Sequence, residues 1–224
     1  EGARITPSHV RKLDAVREDL QRESVIGTSI GFGLVVTLLL IIAYTTHVST
    51  DLGQTLYNKD LAFICMILFC FVLLGAVSSY LVEGIASIGS GNGPMSKSLV
   101  YAVPLASGAM AVCIFMGLAV ALPFALMSAV TTAFFFVNTF QTFLFFLFSS
   151  MMAAYWVRNC KERRVLIQAG FKTGLVNMVV VSALILLNNT GFKPDLLWGW
   201  ALGLIGGVTA GILTTGLIPL IEMV

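Results

Sequence analysis

Residues 197–221, LWGWALGLIGGVTAGILTTGLIPLI, run for 25 positions without an Asp, Glu, Lys or Arg. About 20 apolar residues in a helix cross the roughly 30 Å hydrocarbon layer of a bilayer, so this stretch is long enough to span one. The strands of a membrane barrel alternate apolar and polar residues; this run does not, and it reads as a transmembrane helix. Six further apolar segments precede it, at 25–43, 61–82, 99–115, 118–137, 140–157 and 165–187. The third and fourth are joined so tightly at Met116 and Gly117 that a hairpin is expected. Loops fall at HVSTDLGQTLYNKD, SIGSGNGPMSKS, RNCKERR and NNTGFKPD, most of them marked by the Gly, Pro and Asn that interrupt helices.

The composition of the 224 residues agrees: 58% are apolar and 11% charged, against about 25% charged in a soluble domain. A net charge of +2 gives no electrostatic footprint for nucleic acid. The expected fold is all-α, a polytopic bundle of seven transmembrane helices over 25–224, preceded by a short amphipathic helix over 1–24. In that leading helix Thr6 is placed to cap and Pro7 to occupy the first turn. Val10, Leu13, Val16 and Leu20 then recur at helical spacing.

The chain opens on Glu1 and closes at the edge of an apolar run, and is read as the membrane segment of a longer protein. Cys65, Cys70 and Cys113 lie in apolar runs and Cys160 in a basic loop. None has the spacing of a metal site or a disulfide framework. Lysine and arginine near short loops set orientation. With the C-terminus inside, Lys59, Arg158, Lys161, Arg163, Arg164 and Lys172 fall on the cytoplasmic side, and Lys97 and Lys193 outside. The N-terminal helix opposes this with Arg4, Arg11, Lys12, Arg17 and Arg22; a translocated domain crosses largely regardless of charge. The expected topology is N-out, C-in.

Within the last segment Gly203, Gly207 and Gly211 form a ridge at four-residue spacing, which lets another backbone approach closely. Internal packing and a homodimer contact are the two readings, and Gly27 and Gly31 offer a weaker version in the first segment. Gly206, about 100° around the helix, is expected to tolerate a large side chain better than Gly207. Pro104 is expected to kink the third segment. Lys172 either snorkels to the cytoplasmic surface or faces the bundle. Asn177 follows Gly170 and Gly174 on a small, polar face suited to an interhelical hydrogen bond. Glu222 ends the last helix, where it is either solvated or paired with a basic group of RNCKERR. The crowded phenylalanines at 134, 135, 136, 140, 143, 145, 146 and 148 read as lipid contact and packing, or as an aromatic-lined pocket.

Several runs, in order, resemble the membrane region of the seven-transmembrane HD receptors, the membrane-bound HD-domain phosphohydrolases that degrade cyclic di-AMP. EGARIT at 1–6 is similar to the segment leading from ectodomain to first span. Tyr101 and Pro104 match a YxxP pattern. Arg163 and Arg164 followed by Ala169, Gly170, Gly174 and Asn177 resemble R…AG…G…N. Gly216-Leu217-Ile218-Pro219-Leu220-Ile221-Glu222 resembles GLLPxxE. The resemblance implies an extracellular sensor domain before the spans and, after them, a cytoplasmic HD domain holding a divalent metal pair. It implies a bacterial cytoplasmic membrane protein, a sensor or anchor that positions and regulates the hydrolase. A small transporter or channel is the alternative. The sequence holds two histidines and no His-Asp pair, so no catalytic residue and no cofactor is assigned to this chain. Purified alone, it is expected to be inactive on cyclic di-AMP.

Overall fold

The computed structural model describes residues 58–88, 98–159, 163–187 and 195–222, all within the second of two compact units, Thr50–Val224. The amphipathic helix, the first apolar segment with Gly27 and Gly31, and Cys160 lie outside the described residues. Every regular element described is helical: α1 (Asn58–Ile88), a short 3-10 helix (Leu99–Ala102), α2 (Ala106–Met116), α3 (Leu118–Ala133), α4 (Thr139–Val157), α5 (Arg163–Leu187) and α6 (Asp195–Glu222). Five spans in this set are long and apolar enough to cross a membrane, the 3-10 helix and α2 together making one of them, and the remaining helix, α3, is apolar but shorter.

Contacts between named residues give the directions. Phe63 meets Phe115 with ring centroids 5.9 Å apart, and Gly108 faces the Phe71 ring, so α1 and α2 run in opposite directions. Gly75 faces Thr132 at the far end of α3, so α3 folds back from Gly117 and runs with α1. Tyr101 packs against Phe145 with ring centroids 4.8 Å apart and the rings tilted by 56°, and the Cys113 thiol donates to the Ala154 carbonyl at 3.2 Å, which sets α2 and α4 side by side in one direction. Gly170 lies against Gly211, and Gly199 against Val181, so α5 and α6 are antiparallel. Successive helices therefore alternate, as a chain crossing a bilayer repeatedly must. Gly117, the turn between α4 and α5, and the end of α6 share one end of the bundle.

The hairpin at Gly117 has a local cause: its φ is +84°, a region that glycine enters without steric cost. Its amide donates to the Cys113 carbonyl at 3.0 Å and its carbonyl accepts from Ala121 at 3.1 Å, so one residue closes α2 and opens α3.

Two expectations are corrected. Pro104 does not kink a continuous helix; the span is interrupted there. Proline has no amide proton and drives the preceding residue out of the helical region. Val103 is accordingly extended, at φ −68° and ψ 120°, between the 3-10 helix and α2. The Val100 carbonyl, which a proline amide cannot reach, accepts from Val103 at 3.3 Å instead, and the Pro104 carbonyl accepts from the Ser107 amide at 3.2 Å and from its hydroxyl at 2.7 Å. The fourth span ends at Ala133, short of Val137, because the chain turns through Phe135 and Phe136, whose amides return to Thr132 and Ala133.

The core is built from small residues. Ala106 and Met110 of α2, Ala153 and Val157 of α4, Leu166 and Ala169 of α5, and Ala210 and Ile218 of α6 form one buried cluster. Lipid tails are as apolar as leucine, so helices in a bilayer associate through close packing, and small side chains permit it. Buried hydroxyls bond to carbonyls of their own helix one turn back: Thr131 to Met127, Thr173 to Ala169, Thr214 to Ala210.

Candidate functional site

The closest approach in the bundle is the α5–α6 seam. A Cβ added at Gly170 would lie 2.8 Å from the Gly207 carbonyl oxygen and 2.8 Å from the Gly211 Cα. At Gly174 it would lie 2.9 Å from the Leu204 carbonyl oxygen, and at Gly211 2.9 Å from that of Leu166. At Gly207 it would run into the backbone of Gly174. Contacts this short do not occur with real Cβ atoms, so backbone meets backbone here and no side chain fits between. Gly203, Gly207 and Gly211 thus face α5 of the same chain.

Asn177 continues the seam. It is 2% exposed, and its amide nitrogen donates to the Gly203 carbonyl at 3.0 Å. Its Oδ1 has no partner among the described residues. A side-chain hydrogen bond between membrane helices is worth on average about 0.6 kcal/mol, so this bond fixes register more than it stabilises.

A second face of α6, about 100° round from Gly207, carries contacts that four-residue spacing did not reveal. Gly206 faces the carbonyl of Tyr101 and the backbone of Ala102, so the interrupted third span rests on α6. α6 also reaches α2 through Thr214, whose hydroxyl lies 3.4 Å from the Ser107 carbonyl. On its α5 side, α6 is held further by Trp200, which donates to the Ser182 hydroxyl at 2.8 Å. Gly206 directly beside Gly207 was the available signal in the sequence for this second close approach. Gly206 is therefore as confined as Gly207, contrary to expectation.

At the end of the bundle shared by Gly117 and Glu222, Ile218, Val157 and Leu166 belong to one buried cluster. That cluster draws on residues near the ends of α4 and α6 and the start of α5. Arg158 and Arg164 flank the turn between α4 and α5 and are exposed. The Arg158 guanidinium lies 4.4 Å from the centre of the Tyr155 ring. Lys172 is exposed, its ammonium 4.7 Å from the Trp156 ring centre. It faces α4, away from the Asn177 seam. The Arg163 and Glu222 backbones belong to α5 and α6; their side chains, and so any pairing of Glu222, lie outside the described set. The phenylalanines divide: Phe136, Phe145 and Phe146 are buried, with Phe145 and Phe146 at 5.6 Å, whereas Phe134, Phe140 and Phe148 are exposed.

Among the described residues no three His, Cys, Asp or Glu side chains converge as a metal site would require.

A bundle of alternating apolar helices packed through glycine and alanine, its exposed face apolar, is a multi-pass α-helical membrane domain. The chain belongs to the family of 7TM receptors with intracellular HD hydrolase, whose model matches residues 26–224. It is similar to the cyclic-di-AMP phosphodiesterase PgpH of Listeria monocytogenes serotype 1/2a (strain 10403S), 34% identical over 82 residues. That match covers 36% of this chain and 11% of the length of the relative. No solved structure matches the chain significantly.

Proposed function

We propose that this chain is the membrane domain through which a bacterial receptor anchors, orients and regulates a cytoplasmic HD phosphohydrolase acting on cyclic di-AMP. The family supports the architecture. The observation that carries the regulatory reading is the buried cluster that Ile218, near the end of α6, shares with Val157 of α4 and Leu166 of α5. α6 leads toward whatever follows Glu222, and close to its end it belongs to the same core as the end of α4 and the start of α5. A displacement of α4 or α5 by a signal would thus move the exit of α6. Such an element transmits when a ligand binds its two positions unequally.

The reading places the N-terminus and an extracellular sensor domain outside, with the α4–α5 turn and Glu222 at the cytoplasmic face. In intact cells, with the other three cysteines replaced by alanine, Cys160 is expected to resist a membrane-impermeant thiol reagent until the cells are opened. Ready labelling from outside would reverse the orientation. Regulation is tested in the full-length receptor reconstituted in vesicles. Glu222→Lys should change cyclic di-AMP turnover severalfold, and Arg164→Glu in the same protein should restore it. Turnover unaffected by Glu222→Lys would reduce the domain to an anchor.

A further inference from the structure

We propose that the α4–α5 end of the bundle carries a binding site for the phosphate of an anionic phospholipid headgroup, held by Lys172 and Arg158. Four side chains form a continuous strip. Arg158 lies over Tyr155 at 4.4 Å, Tyr155 meets Trp156 edge-to-face at 5.9 Å, and Lys172 lies over Trp156 at 4.7 Å. Both cations thus rest on aromatic faces, and neither is paired with a carboxylate among the described residues. The single acidic side chain described, Glu83, is toward the other end of the bundle.

Position makes this arrangement informative. Lys172 stands eight residues beyond Arg164, about 12 Å along α5. It is exposed on the outer surface, as are Gln168 and Arg164 one and two turns earlier. An exposed charge at this depth is costly in hydrocarbon and extends its ammonium toward the interface. Lipid phosphates are the anions present there in quantity. Two cations seated on π faces keep their remaining N–H donors free, and a phosphodiester offers acceptor oxygens to both. Tyr155, 45% exposed, and Trp156 supply the amphipathic rings that sit at headgroup level. Basic pockets on transmembrane surfaces take anionic headgroups on the same grounds.

The test uses the whole chain in lipid nanodiscs of phosphatidylcholine containing bromine-labelled phosphatidylglycerol or, at equal mole fraction, bromine-labelled phosphatidylcholine. With Trp198→Phe and Trp200→Phe, Trp156 is the remaining tryptophan and reports bromine nearby. The labelled anionic lipid should quench it more strongly. Lys172→Gln or Arg158→Gln should each lower the enrichment about fivefold, the equivalent of about 1 kcal/mol per cation. Lys193→Gln, the same change of charge in the loop between α5 and α6, should leave it unaltered. Retained phosphatidylglycerol counted by native mass spectrometry of the protein with all tryptophans in place gives the same comparison if the tryptophan variants fail to fold. Equal quenching by the two lipids, enrichment unchanged in Lys172→Gln, or displacement of the lipid by inorganic phosphate would each overturn the proposal.

Discussion

Gly207→Leu is expected to disrupt the α5–α6 seam and abolish or severely lower the thermal stability of the domain in detergent. The glycine Cα already abuts the backbone of Gly174, and any Cβ would meet it, with the Gly170 carbonyl oxygen 2.9 Å away. A side chain in the way can rotate; a backbone moves only with its helix. Overpacking a core usually costs about 1–3 kcal/mol, and a clash with backbone on the tightest seam belongs at or above the top of that range. Gly216→Leu is the control, because a Cβ there meets nothing within 4 Å. Thermal midpoints and light scattering separate the outcomes. A damaged monomer is the expected one. A dimer dissociating into stable monomers would move the ridge to an interface between chains, and equal midpoints for Gly207→Leu and Gly216→Leu would show that the seam is loose.

The seam was legible in the sequence because its signal is local. Steps of four residues advance only about 40° beyond a full turn, so Gly203, Gly207 and Gly211 had to share a face, as did Gly170, Gly174 and Asn177. That the two faces meet is a tertiary fact, and spacing alone favoured packing within the chain while leaving a second chain as the lesser claimant. Helix number was legible from hydropathy; helix ends were less so. Phe134, Phe135, Phe136 and Val137 continue the apolar run although the backbone has already turned, since a phenylalanine is equally apolar in a helix and in a turn facing lipid. Pro104 announced a disturbance, and its restriction on Val103 decided that the disturbance is a break. Lys172 could be separated from Asn177 by counting residues. Its seat on Trp156 could not be found that way, because register between helices is set by packing across α4 and α5.

The less expected large effect is at Gly206. Four-residue spacing singles out Gly207 and makes its neighbour look free, yet a Cβ at Gly206 would meet the Tyr101 carbonyl and lie 3.2 Å from the Cα and carbonyl carbon of Ala102. This obstacle too is backbone, and it belongs to the 3-10 helix that precedes the break at Pro104. That segment cannot simply slide, because the Tyr101 ring packs against Phe145 with centroids 4.8 Å apart. Gly206→Leu should therefore lower the thermal midpoint by an amount comparable to Gly207→Leu and far more than Gly216→Leu. The location of the damage distinguishes the two variants, because local opening appears in amide hydrogen exchange element by element. Gly206→Leu should accelerate exchange at 99–108, where the interrupted span lifts from α6. Gly207→Leu should accelerate it along α5 around Gly170 and Gly174. Where leucine prevents folding, alanine at the same positions gives the milder version, since the first clashing atom is the Cβ itself. A Gly206→Ala protein as stable as its parent, or one whose added exchange falls in α5 with 99–108 unchanged, would show that the Tyr101 carbonyl does not rest on α6.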